Sequence, residues 1–419
     1  MKKKPILFVQ AGPFHLFWVT GIYYLWELKD KYNFIIIANE EYNKSEKFKK
    51  ILKYLDVEYI YYQKQNKGFR LVFDLLKEYK KILINFKPRK FLIYNNSFID
   101  NQCLIYLIRS IGYPIEIFQF QNGKIPLDLQ MDRLYLVALE AVELQNKYKF
   151  LKNFNKISFK LAKIKKLLIY FYYFKLIPFF LLGVTFKPDL NIFNGVYKKK
   201  KKEKNLISKY FVYLDIEANS VRQSGISNCK IIDHPLKNTH KELNEIIYGK
   251  ISNKNQMVIL PTIGFLETLM MKGYTKDYLI KFISDQYIEF LRKFKKKFPN
   301  YQVIFKLHPS SKDKKVWMDI VSLISQQVKV ININPSVNAE KLIIQSKIII
   351  SDVSTVLWWT IFFDKKIAIS LDIFNFDKGD EMLKYGSYLY YIKNLKQIEK
   401  INFKFNRSSN CKFSVKKYL

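Results

Sequence analysis

With 419 residues, 49% apolar and 17% aromatic, the chain is long enough for two hydrophobic cores and too apolar for general disorder. Its 72 basic and 36 acidic residues leave a formal charge of +36, which points to anionic partners. Three scattered cysteines (Cys103, Cys229, Cys411) and four histidines exclude a disulfide framework, a zinc motif and a His-rich metal centre, and fit a reducing cytosol.

In chain order, apolar runs alternate with helical stretches. After Met1-Lys2-Lys3-Lys4, the run from Ile6 to Val9 is too short for a signal peptide and meets Gln10-Ala11-Gly12-Pro13 with no cleavage site, so it reads as a buried strand. A helix is expected from about Leu16 to Lys29, a strand over Phe34 to Ala38 and a charged helix over Ser45 to Leu55. Tyr59 to Tyr62, Lys90 to Tyr94 and Ile115 to Phe120 continue the strands. Apolar runs without alternation mean burial on both faces, hence a parallel sheet with helical crossovers.

Leu167 to Phe186 breaks the pattern with twenty mostly apolar residues between lysines. Lys175 and Pro178 in its middle argue against a membrane span. Two readings stand side by side: a buried core helix pair, or an interfacial contact with a membrane surface. The run Lys198 to Lys204 reads as a solvated loop.

The second half restarts with strands expected over Met257 to Thr262, Gln302 to Leu307, Val328 to Ile333, Ile348 to Ser351 and Ile367 to Leu371. Helices fall between them over Lys276 to Phe298, Asp313 to Ser325, Ala339 to Ser346 and Thr355 to Phe363. This predicts two α/β, Rossmann-like, doubly wound domains: 1–236, a polar linker over 237–256, and 257–419 with its tail.

In such sheets ligands sit at the carboxyl ends of strands. Three ends carry suitable residues: Thr262 and Gly264 in Pro261-Thr262-Ile263-Gly264; Lys306, His308, Pro309 and the serines of Lys306-Leu307-His308-Pro309-Ser310-Ser311; and Ser351-Asp352-Val353-Ser354-Thr355. The last opens a helix, where backbone N–H groups, Ser354 and Thr355 could receive a diphosphate or phosphodiester. Each also has a plain structural explanation, since Ser351 or Asp352 is a good helix cap in any protein and His308-Pro309 could be an ordinary turn.

KLHPSS, followed some forty residues later by SDVSTVLWWTIFFDKKIAIS, resembles the donor-binding half of GT-B transferases of bacterial surface polymers. The pattern is similar to CDP-glycerol glycerophosphotransferases and bacterial polysialyltransferases over roughly residues 225 to 375. The resemblance implies a GT-B fold of two facing domains, with His308 touching the donor phosphate and Ser354 and Thr355 holding phosphate or the donor's acidic group. It also implies that His234-Pro235-Leu236-Lys237-Asn238 belongs to an interdomain linker, which makes His234 structural. Where polysialyltransferases carry an acidic pair before a glycine, this chain has Phe120-Gln121-Asn122-Gly123, whose amides cannot accept a proton. His15, in the loop after the first strand, is the candidate base for the acceptor hydroxyl, with Asp128 and Glu40 behind it.

No phosphate-loop motif, dinucleotide fingerprint, HExxH or DxD triplet is present, so the expectation is a transferase without metal or cofactor. The expected partners are a nucleotide-activated sugar donor, with a lean to a CMP-activated acidic sugar, a saccharide or lipid-linked acceptor, and an anionic membrane surface. The expected place is the inner face of the cytoplasmic membrane. The competing classes are a CDP-glycerol-type transferase, a nucleotide-sugar epimerase of the same fold, and a non-catalytic basic protein binding lipid or nucleic acid. Nucleic acid is disfavoured, because it calls for clustered rather than dispersed basic residues.

Overall fold

The computed structural model describes residues 4–11, 21–63, 68–93, 104, 107–108, 112–121, 207–223, 227–237, 240–252, 254–262, 266, 269–270, 273–308, 314–333, 337–352, 355–363, 365–372, 385–386 and 388–404. The chain divides into two compact units between Pro235 and Leu236.

The first unit is built on a seven-stranded sheet. Its strands are β1 (Ile6–Gln10), β2 (Asn33–Asn39), β3 (Val57–Gln63), β4 (Lys90–Ile93), β5 (Glu116–Phe120), β6 (Lys209–Val212) and β7 (Cys229–Ile231). They lie in the order β3-β2-β1-β4-β5-β6-β7 and all pair in parallel. The helices α1 (Ile22–Leu28), α2 (Glu40–Asn43), α3 (Glu46–Leu52), α4 (Gly68–Phe86) and α5 (Asp215–Gln223) belong to this unit. Five consecutive buried residues in β2, Phe34 to Ala38, show why its run is continuous: both faces of the sheet are covered. The start of α3 is set by Ser45, whose hydroxyl accepts the Phe48 N–H at 3.3 Å.

Cys229 to Ile231 is an edge strand paired with β6, and the stretch expected from the resemblance to be linker follows it, with a 3-10 turn over Pro235–Lys237. Residues 237–256 carry the helix α6 (Lys241–Tyr248) and the opening of β8.

The second unit holds six strands: β8 (Lys254–Ile259), β9 (Gln302–Lys306), β10 (Val330–Ile333), β11 (Ser346–Ser351), β12 (Ile367–Leu371) and β13 (Tyr390–Ile392). Their order is β10-β9-β8-β11-β12-β13, again all parallel. The helices α7 (Lys276–Lys297), α8 (Lys314–Gln327), α9 (Ala339–Gln345), α10 (Thr355–Thr360) and α11 (Gln397–Lys400) complete the unit. Thr275 caps α7 through the Tyr278 N–H at 3.3 Å, and three lysines in its last turn face the negative end of the helix dipole.

Ile348, Ile349 and Ile350 of β11 are fully buried, each contributing roughly 1.5–3 kcal/mol of apolar burial. Phe305 meets Trp317 at 5.9 Å and Tyr287 at 5.6 Å, which joins β9 to α8 and α7.

Among the described residues no helix is long and apolar enough to cross a membrane. The 167–186 segment lies outside them.

Candidate functional site

Parallel pairing puts the carboxyl ends of all six strands of the second unit along one edge. The chain winds outward from β8 in both directions, so the order reverses between β8 and β11. In doubly wound sheets, such a reversal is where the following helices leave toward opposite faces and where ligands bind. Thr262 stands just past β8, and Ser351 and Asp352 close β11. Lys306 and His308 sit at the end of β9, the next strand over.

Between the ends of β8 and β11 the contacts are specific. The Thr262 N–H donates to Asp352 Oδ1 at 3.0 Å, and the Thr262 hydroxyl donates to the same oxygen. Ser351 Oγ lies 2.5 Å from the Leu260 carbonyl and 3.2 Å from Asp352 Oδ1. Its single hydroxyl hydrogen favours the nearer acceptor, so Thr262 supplies the two firm donors to Asp352.

Asp352 is only 6% exposed, and burial pushes its carboxyl up to about 6 against the pull of these hydrogen bonds. Tyr287 of α7 is fully enclosed nearby. Burial first, and then the charge of Asp352, raise the phenol far above its usual range, so it stays protonated.

His308 is exposed at the lip of the edge. Lys306 is not: it is 2% exposed, its Nζ donates to the Leu307 carbonyl at 3.0 Å, and burial lowers its pKa. The lysine therefore braces the strand-end turn. Just past β12, on the far side of β11, Asp372 is fully buried and accepts the Tyr391 hydroxyl at 2.5 Å.

The structure thus brings Thr262, Ser351, Lys306 and His308 to one edge. His15, Gly264, Pro309, Ser354 and the alternative base Asp128 lie outside the described residues, and Thr355 is placed as the first residue of α10. Asp352, read from the sequence only as a cap, and Tyr287, not singled out at all, are the additions. Nothing local signals either, because their partners are distant in the chain.

In the first unit, Gln121 Oε1 accepts the Tyr213 N–H at 3.2 Å, joining the ends of β5 and β6. His234 packs edge-on against Tyr213 with ring centroids 4.4 Å apart. It is 2% exposed, and burial holds its imidazole neutral, in keeping with a structural part. Glu217 is fully buried and in electrostatic contact with Tyr213.

A family profile described as alpha-2,8-polysialyltransferase (POLYST) matches residues 280–370. That span takes in Lys306, His308, Ser351, Asp352 and Thr355, and stops short of Thr262. No curated protein matches the chain in sequence. In structure the chain is similar to a UDP-GlcNAc 2-epimerase from Methanocaldococcus jannaschii, with a TM-score of 0.56 and 13% identity over 96% of this chain and 94% of that one. It is also similar to the UDP-GlcNAc 2-epimerase from Neisseria meningitidis bound to UDP-GlcNAc, with a TM-score of 0.51 and 13% identity over 95% and 89% of the two chains. At such identities the likeness carries architecture alone. The profile match meets the polysialyltransferase side of the resemblance read from the sequence. The chain has a two-domain, Rossmann-like GT-B fold whose segment 280–370 is similar to polysialyltransferases.

Proposed function

We propose that the chain is a metal-independent glycosyltransferase of bacterial surface polysaccharide synthesis, making capsule or lipooligosaccharide from a CMP-activated acidic sugar. One observation supports this reading: Thr262, Ser351 and Asp352 are bonded together at the ends of β8 and β11, and the exposed His308 lies just past the end of the neighbouring β9, in the unit that contains the polysialyltransferase-like segment. Such strand ends are where a doubly wound sheet takes a nucleotide.

In this reading the donor phosphate lies along the strand-end edge. The exposed His308 imidazole meets it as a hydrogen-bond donor and, when protonated, balances the charge that grows as the nucleotide leaves. Ser354 and Thr355 hold the phosphate or the sugar's acid group. The acceptor hydroxyl gives its proton to His15 as its oxygen attacks the anomeric carbon and the nucleotide departs from the opposite side, which inverts the centre. The acceptor is a saccharide or a lipid-linked one, and the net charge of +36 supports work on the inner face of an anionic membrane.

The test is a thermal-shift screen of wild type and His308→Ala with CMP, CDP, UMP, UDP and GDP. Stabilisation by CMP that is lost in the variant supports the donor site and its base. A shift with the uridine nucleotides alone would move the donor to a UDP-sugar. No shift with any of the five would sink the reading. A chromatographic assay separates transfer from the epimerase alternative: transfer releases free nucleotide, whereas epimerisation interconverts two nucleotide sugars.

A further inference from the structure

We propose that Asp352 is the positioning residue of the donor crevice, tying the turn after β8 to the end of β11 and so setting the distance between the two strand ends. The ligand of that crevice is the donor of the reading above, on which this inference rests.

The backbone ladder shows how the tie arises. Between β8 and β11 the Leu260 N–H donates to the Ile350 carbonyl at 2.9 Å. Pro261 comes next and has no N–H to give. In a parallel ladder continued by one more step, the Thr262 N–H would go to the backbone carbonyl of residue 352. It goes instead to the Asp352 side chain, Oδ1, at 3.0 Å, and the Thr262 hydroxyl joins it there. A carboxylate has replaced a peptide carbonyl at the point where the strands separate. Its longer reach lets the two backbones part and form a crevice while the turn stays fastened. Residues 262 and 352 are ninety apart in sequence, so the tie carries the join between β8 and β11 past the last ladder bond and the Ser351 bond to Leu260.

The titratable groups on the surrounding elements are Tyr287 of α7, Lys306 and His308 at the end of β9, and Asp372 at the end of β12. Tyr287 is in electrostatic contact with Asp352 and stays protonated. Burial brings the Asp352 carboxyl itself to about 6. A protonated carboxyl is the weaker acceptor, so the tie loosens as pH falls through that value.

The experiment measures CMP and UMP dissociation constants by calorimetry on the full chain between pH 5 and 8, for wild type, Asp352→Asn and Asp352→Ala. A nucleotide phosphate also titrates near 6. It is common to all three proteins and cancels in the ratio of variant to wild-type constant. Asp352→Asn is expected to bind about threefold more weakly at pH 8 and to converge on wild type at pH 5, and Asp352→Ala to lose about tenfold at pH 8.

Hydrogen exchange at the Thr262 amide gives a reading without ligand: protected in wild type, retained in part in Asp352→Asn, lost in Asp352→Ala. If alanine prevents folding, the asparagine ratio and its pH dependence still decide. An asparagine ratio independent of pH, or a Thr262 amide that exchanges freely in wild type, overturns the role of Asp352. Wild type that protects Thr262 but binds neither nucleotide refutes the donor reading and the positioning role that depends on it, and leaves only a structural tie.

Discussion

Replacing Lys366 with methionine should remove a pH dependence of stability that the wild-type protein carries. Lys366 is 7% exposed at the start of β12, and its Nζ donates to the Ile344 carbonyl at 2.9 Å and the Ser346 carbonyl at 2.5 Å. It thereby caps the carboxyl end of α9, where free carbonyls need a donor. Burial lowers its pKa from 10.5 to about 7. Between those values the unfolded chain holds a proton that the folded one has released, so stability rises with pH across the window and the full cost of a buried ammonium is felt below it. The whole window is worth about 5 kcal/mol at about 1.4 kcal/mol per unit, and the part between pH 7 and pH 9 about 2 kcal/mol. Methionine keeps the apolar stem and abolishes the titration. It also leaves two carbonyls without their donor, at about 1–3 kcal/mol each. Urea unfolding at pH 7 and pH 9, followed by the fluorescence of the buried Trp317 and Trp358 of the same unit, should show the stability of wild type minus that of the variant rising by about 2 kcal/mol at the higher pH, whichever is the more stable at pH 7. Curves that shift in parallel would refute the reasoning and mean that the two carbonyls and the helix dipole keep Lys366 charged throughout.

Two shorter expectations accompany it. Ser351→Ala removes the hydroxyl that bonds the Leu260 carbonyl, so the second unit should lose about 1 kcal/mol in the same urea assay and any CMP-induced thermal shift should shrink. The Cys229 thiol is buried and pushed up to about 11, so at pH 8 iodoacetamide should leave it unmodified in the folded protein and label it on unfolding, as read by peptide mass spectrometry.

Strands whose apolar runs are unbroken were legible without coordinates. Phe34 to Ala38 and Ile367 to Leu371 each lie within a residue of the observed β2 and β12, where a short, nearly continuous apolar run is buried on both faces; Gln302 to Leu307 does the same for β9 around the apolar Val303 to Phe305. The strands that escaped, β6 and β7 in the first unit and β13 at the edge of the second, have three or four residues each, and a run that short gives a period little room to show. Helix ends were closest where a side chain caps them, as at Lys276, and Phe363 overshoots α10, which stops at Thr360. The site was half legible. The end of a parallel strand is a position that sequence can suggest, and Thr262, Ser351 and His308 follow from it. The bond from Thr262 to Asp352 depends on which strands are neighbours, and no local pattern records that β8 lies beside β11 rather than β12.

The outward winding of the second sheet also governs when its site can come into being. A ribosome delivers β8, β9 and β10 first, and these can pair among themselves while β8 still offers an open edge. Only when residues 346 to 352 have emerged can β11 dock there and bring Asp352 to Thr262. A nascent or truncated chain ending before Ser346 would therefore have three strands, a half-built core and no crevice. The strand that brings Asp352 to Thr262 is also the one that covers the open edge of β8, and it offers its own edge in turn to β12 and then β13.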